Sequence, residues 1–144
     1  MQSDCEYRIS LDPAELRLDV IHGFLTTSYW SPGIPMELVA KAIRHSLTVG
    51  AYAPGGAQVG FARLVTDYAS FGYLADVFVL EPHQGKGLAR RMVRALLEHP
   101  DIQGLRRIIL ATRDAHGVYL KCGFEPLTDP DRFMQNSHPG QYRR

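Results

Sequence analysis

The stretch "SFGYLADVFVLEPHQGKGLARRMVRALLEH", residues 70–99, passes from an apolar run through two glycines and a lysine into a helix-like run. "SFGYLADVFVL", residues 70–80, reads as a strand that is apolar on both faces and therefore central in its sheet. Leu88, Ala89, Met92, Val93, Leu96 and Leu97 recur at helical spacing, with Arg90, Arg91, Arg94 and Glu98 opposite them. "LRRIILAT", residues 105–112, follows as a buried strand. Strand, glycine loop, helix and strand make a crossover unit over 71–112. The bare backbone at the mouth of that helix asks for a purpose.

Outward from this unit, "TVGAYA" and "QVGFARLVTD" read as the arms of a hairpin around "PGGA". Before them, "PMELVAKAIRHSL" carries the apolar stripe Leu38, Val39, Ala42, Ile43 and Leu47, and "SPGIP" breaks the chain. The spacing predicts an earlier helix in "DPAELRLDVIHGFLTTSYW", with Asp12 as N-cap and Pro13 at the first helical position. "EYRIS" opens the chain as a short strand. Downstream, "DAHGVYLKCG" reads as a short helix closed by Gly123. "FEPLTD" and "RFMQN" are expected as late strands, and the tail from about 136 as frayed. The predicted order is β-α-α-β-β-β-α-β-α-β, an α/β (α+β) sandwich with helices on both sides of a mixed sheet.

The chain has 144 residues, 45% hydrophobic and 22% charged, which fits one ordinary globular domain spanning 1–144. A formal net charge of +1 gives no sign of a nucleic-acid or membrane partner. No secretion signal is visible at the N-terminus, and no apolar run approaches the roughly 18 residues of a spanning helix. Cys5 and Cys122 form no CxxC, so neither a disulfide framework nor a metal site is indicated, and two free thiols point to a cytoplasmic protein. The six histidines are scattered.

Three phosphate cradles compete for the glycine loop. A P-loop needs G-x-x-x-x-G-K-[ST]; here Lys86 is followed by Gly87, and Leu80 stands where the first glycine belongs. A dinucleotide fingerprint begins at Gly85 and Gly87 but meets Arg90 at its third place. The third pattern, Q/R-x-x-G-x-G/A, is met by Gln84, Gly85, Lys86, Gly87, Leu88 and Ala89. With it the chain resembles the GNAT superfamily of N-acetyltransferases, which place this loop between their fourth strand and third helix and hold the pyrophosphate of acetyl-CoA there. The physics suits that task. Free N–H groups and the positive end of a helix attract anions, and Lys86, Arg90 and Arg91 add positive charge. A strand-to-helix turn that merely needs glycine would read the same. "DAHGVYLKCGF" resembles the family's later motif, a helix with a tyrosine ending in Gly-Phe; Asp114 stands where the family often has Asn.

The resemblance implies a mostly antiparallel sheet with a splay between the fourth and fifth strands. The pantetheine arm of acetyl-CoA would add there like an extra strand, along the backbone of Phe78 and Val79. It also implies acetyl transfer to an amine in one ternary complex, with Tyr119 as general acid and Asp114 beside the cofactor. The alternative for Tyr119 is a packed helix aromatic. Strand alternation places Asp76 between Leu74 and Phe78 on one helix-covered face, and apolar company suits a carboxyl to general-base work. Its alternatives are a structural pair across the splay, with a water chain as base. Tyr29, Trp30, Asp67, Tyr68, Tyr73, Phe133 and Met134 are candidates for the acceptor site, although Tyr29 and Trp30 could instead close the core. No metal is implied; a homodimer is admitted. The expected function is N-acetyl transfer from acetyl-CoA to a primary amine of a small molecule or peptide. A non-catalytic acyl-CoA sensor is the alternative.

Overall fold

The computed structural model describes residues 6–142; Cys5 lies outside them. Five strands form one sheet in chain order: β1 (Arg8–Ser10), β2 (Leu47–Tyr52), β3 (Gln58–Thr66), β4 (Phe71–Val79) and β5 (Arg107–Leu110). β1 to β4 are antiparallel neighbours, and β4 and β5 run parallel. The helices are α1 (Leu18–Leu25), α2 (Met36–Arg44), α3 (Leu88–Leu97) and α4 (His116–Leu120). The parallel pair follows from the crossover: a helix between two strands returns the chain to the end where the first began. α3 is that connection.

Two apolar clusters fix the helices to opposite faces. Leu88, Met92, Val93 and Leu96 of α3 pack against Val49, Ala62, Leu64 and Leu74. Ile21 and Leu25 of α1 and Val39 of α2 pack against Phe61 and Phe78, and Phe24 stacks on Phe78 with ring centres 4.0 Å apart. Each fully buried side chain of this size contributes about 1.5–3 kcal/mol.

β5 pairs with β4 only where Phe71 to Leu74 face Arg107 to Leu110. The chain then leaves the sheet, whereas β4 runs on to Val79. Ala75 to Val79 therefore have β3 on one side and no strand on the other. This is the splay implied by the resemblance.

Two local expectations need correction. Pro13 opens a 3-10 turn, Pro13–Glu15, rather than α1; Asp12 caps that turn through Ala14 N–H at 2.9 Å. The chain then extends, because the Arg17 N–H donates to the Gln58 side chain at 2.7 Å and the Tyr52 hydroxyl to the Glu15 carbonyl at 2.8 Å. Helix begins only at Leu18. The late strands do not form among the described residues. Pro126, within the first, has no N–H to give a ladder, a 3-10 turn over Pro130–Arg132 takes up the start of the second, and Asp129 turns to Arg107 and Arg132 instead. Phe124, Pro126 and Leu127 lie in a groove with Ile108 and Leu110, beside the outer edge of β5.

Candidate active site

The site grows from an irregularity in β4. Ala75 pairs with Arg63 and Phe78 with Phe61, so two residues, Asp76 and Val77, stand opposite one, Ala62. This is a β-bulge. Asp76 takes φ 57°, a left-handed conformation in which aspartate is tolerated better than most residues. The bulge also reverses side-chain parity. Leu74 faces α3, and Phe78 faces α1 and α2. The alternation that set Asp76 between them on one apolar face is overturned: it shares the α1–α2 face with Arg63 and Phe78.

There its carboxylate meets donors. Arg63 Nε donates to one oxygen at 2.6 Å and Trp30 Nε1 to the other at 2.7 Å. Arg63 also donates to the Ser46 hydroxyl at 3.1 Å. The Arg63 and Asp76 side chains are only 20% and 12% exposed, so this is a largely desolvated pair with a third partner. Trp30 in turn meets Tyr29 edge-on at 5.0 Å, and the Arg113 guanidinium lies 3.8 Å over the Tyr29 ring.

These residues wall a cleft of about 560 Å³ at the splay. One side is β4 from Tyr73 to Val77. The other is Leu110 to Arg113, with Tyr119 of α4, and the α1–α2 loop supplies Tyr29, Trp30, Ser31 and Ile34. The tail, expected to fray, brings Tyr142 into the same wall. Its carbonyl stands 3.2 Å from where a Cβ on Gly33 would be, and Gly33 has φ 81°. The Tyr119 ring packs edge-on against Phe124. Its hydroxyl has no hydrogen-bond partner among the described residues, and burial pushes its pKa up to about 12, with smaller contributions from Cys122 and Tyr29. The phenol stays protonated through the neutral range.

At the far end of the exposed edge, roughly 10 Å of strand beyond Asp76, lies the glycine loop. The Gln84 side chain donates to the Val79 carbonyl at 2.9 Å and pins the loop to β4. Gly85 and Gly87 have φ 81° and 76°. A Cβ on Gly85 would meet nothing within 4 Å, so conformation rather than crowding within the protein calls for glycine there. Gly87 is the N-cap of α3 and offers no side-chain cap, and no acid stands in the first turn. The first N–H groups of a helix have no acceptor within it. Lys86 lies 6.0 Å over the Tyr7 ring, and His83 bonds the Tyr7 hydroxyl at 2.8 Å. Leu88 and Phe78 have buried side chains, so each can offer a ligand only its backbone; Val79 and Ala89 are half-buried.

The structure thus gathers Tyr29, Trp30, Tyr73, Asp76 and Tyr119 around one cleft. It leaves others outside. Asp67 and Tyr68 form the β3–β4 turn, at the opposite end of β4; Asp67 there accepts from the Ala69, Ser70 and Phe71 N–H groups. Phe133 sits under Arg107 at the start of β5, and Met134 is 98% exposed. Asp114 is exposed and off the cleft wall; Thr112 supplies the turn bond to Ala115 N–H. Sequence reasoning missed Arg63, Arg113 and Tyr142. Arg63 had a signal, as a cation within the apolar run "FARLV". Tyr142 had none. Among the described residues no group of three or more His, Cys, Asp or Glu could hold a metal ion.

A cleft between splayed strands, with an uncapped helix start at one end, is the arrangement that the resemblance in the sequence implied, and the comparisons bear on the same family. The profile of the acetyltransferase (GNAT) family matches residues 27–124. A Gibberella zeae protein bearing an acetyltransferase name is 34% identical over 81% of this chain and 77% of its own length. Glucosamine 6-phosphate N-acetyltransferase 1 of Oryza sativa subsp. japonica is 32% identical over 82% of this chain and 81% of its own. The crystal structure of a GNAT-family protein from Xanthomonas campestris pv. campestris superposes with a TM-score of 0.90. It is 45% identical and covers 96% of this chain and 97% of that one. The chain belongs to the GNAT acetyltransferase family.

Proposed function

We propose that the protein is an N-acetyltransferase that moves the acetyl group of acetyl-CoA to a primary amine of a small molecule or peptide, by direct attack within one ternary complex. One observation carries the reading. The open edge of β4 from Ala75 to Val79 ends at an uncapped glycine loop and begins in a cleft wall shared with Tyr119, whose hydroxyl has no hydrogen-bond partner among the described residues.

The residues fit the co-substrate's chemistry. Acetyl-CoA supplies an activated thioester when bound. The N–H groups from Gly85 to Ala89, the positive end of α3 and Lys86 would hold its pyrophosphate. The backbone of Phe78 and Val79 would pair with its amide-bearing arm, as a strand edge pairs with a peptide. Tyr119, protonated through the neutral range, would donate a hydrogen bond to the departing sulfur. Asp76 has both oxygens occupied by Arg63 and Trp30, which supports a positioning role for it, with water taking the proton of the amine. Asp114, exposed and off the cleft, would touch cofactor only through its backbone.

Free-thiol release from acetyl-CoA across a panel of amines tests this. Glucosamine 6-phosphate, for which one relative is named, is a first acceptor to try. Acetylated product with matching thiol release supports the reading. Tight acetyl-CoA binding without turnover of any amine would make the protein a sensor.

A further inference from the structure

The charges of the cleft narrow the acceptor; the argument rests on the acetyl transfer proposed above. Among the described residues, three charged side chains line the wall: Arg63, Asp76 and Arg113. Arg63 and Asp76 are bound to each other at 2.6 Å. Arg113 is left over. Its guanidinium face lies on the Tyr29 ring at 3.8 Å, and it makes no ion pair with any described residue. A stacked guanidinium keeps its N–H edge free, and that edge matches a carboxylate or phosphate in two-point fashion. The remaining polar groups of the wall are mainly hydroxyls, from Tyr73, Tyr119, Tyr142 and Ser31 among others. Among the described residues no unpaired carboxylate lines the cleft to hold an ammonium.

We infer that the acceptor is an amine carrying an anionic group, a carboxylate or a phosphate, and that Arg113 binds that group. The same surplus positive charge disfavours a protonated amine in the cleft, which is the form that cannot attack. It also works against polycations.

The test compares matched acceptors in thiol-release kinetics: phosphoethanolamine against ethanolamine, phenylalanine against phenylalaninamide, and spermidine as the polycation. Wild type, Arg113→Gln and Arg113→Lys are assayed, with acetyl-CoA affinity measured by calorimetry in each. The charged member of at least one pair should have kcat/KM at least tenfold above its neutral partner, and the pair showing it identifies phosphate or carboxylate. In Arg113→Gln that ratio should fall to within threefold of one, through KM. Arg113→Lys should retain part of it. Acetyl-CoA affinity should stay within twofold. Equal use of charged and neutral amines by wild type, or preference for spermidine, would overturn the inference. So would an Arg113→Gln loss that falls on acetyl-CoA, which would make Arg113 a cofactor contact. If no amine releases thiol, acetyl transfer itself fails. Calorimetric titration of the same pairs into the coenzyme A complex then decides the point: tighter binding of the charged member supports it, equal or absent binding overturns it.

Discussion

Tyr119 and Asp76 stand at one cleft, but their surroundings give them different work. The Tyr119 hydroxyl has no hydrogen-bond partner among the described residues, and its pKa is held up to about 12, so it stays protonated. A thiol is more acidic than this phenol, so the hydroxyl's part is to donate a hydrogen bond to the sulfur as negative charge develops there, rather than to surrender the proton outright. Tyr119→Phe deletes one oxygen and keeps the ring. The rate of acetyl transfer should fall about 10²- to 10⁴-fold, the usual range for a positioned acid, while calorimetry shows acetyl-CoA affinity changed by less than tenfold. Equal losses in both would make the hydroxyl a cofactor contact. Asp76 joins Arg63 to Trp30. Asp76→Ala strands a largely buried guanidinium and should destabilise the fold by about 2–3 kcal/mol, read by denaturant unfolding. Trp30 is the sole tryptophan, so its emission should shift in the folded mutant. In Asp76→Asn, which keeps the shape, the rate per folded molecule should stay within tenfold of wild type. Loss of the acidic limb of the pH–rate profile would instead mark Asp76 as the base.

At the scale of elements, the loop between β4 and α3 and the bulge within β4 do complementary things. The loop turns the chain through Gly85 and Gly87 and leaves the first turn of α3 uncapped. The bulge re-aims Asp76 toward the α1–α2 loop and so fixes Trp30 in the cleft wall. Gly87→Glu puts a charge and a side chain at the N-cap, in a conformation that costs a non-glycine residue about 1–2 kcal/mol. Acetyl-CoA affinity should drop at least tenfold by calorimetry, about 1.4 kcal/mol. Gly87→Ala separates the two effects: it carries the strain without the charge. It should lower the melting temperature while reducing affinity less than Gly87→Glu does. Unchanged affinity in folded Gly87→Glu would remove the phosphate role from the loop.

For the molecule as a whole, stability should decline at both ends of the pH scale for identifiable reasons. Asp67 has its carboxyl held well below the usual range, first by the Ser70 hydroxyl and then by the Ser70, Ala69 and Phe71 N–H groups. A lowered folded-state pKa contributes stability above the ordinary value of 3.8 and loses it as pH falls toward the folded value. Asp67→Asn should therefore flatten the acid limb of a stability–pH curve. Tyr119 has the opposite sign. Its raised pKa contributes stability that is intact below about pH 10 and is lost between there and about 12, because the unfolded phenol ionises first. Chemical denaturation should show wild type losing stability faster than Tyr119→Phe over that interval. Parallel curves would mean that the hydroxyl is solvated.

The crossover unit over 71–112 was legible in the sequence, because strand and helix periodicity, glycine turns and the exposed mouth of a helix are local properties of the chain. Its resemblance to an acetyltransferase loop rested on the same local residues, as did Tyr119 in its short helix. The late strands misled, because apolar composition in "FEPLTD" and "RFMQN" says nothing about whether a neighbour can accept their hydrogen bonds; Pro126 offers none, and the turn that Pro130 opens runs into the second segment. The bulge at Asp76 belongs wholly to tertiary structure. It exists only as a count of two residues in β4 against one in β3, and that count decides which face every later side chain takes. Arg113, Tyr29 and Tyr142 likewise come from segments far apart in the chain. The chemistry of the loop could therefore be read from neighbours in sequence, whereas the charge and shape of the acceptor wall came from strand register and packing, which no single segment encodes.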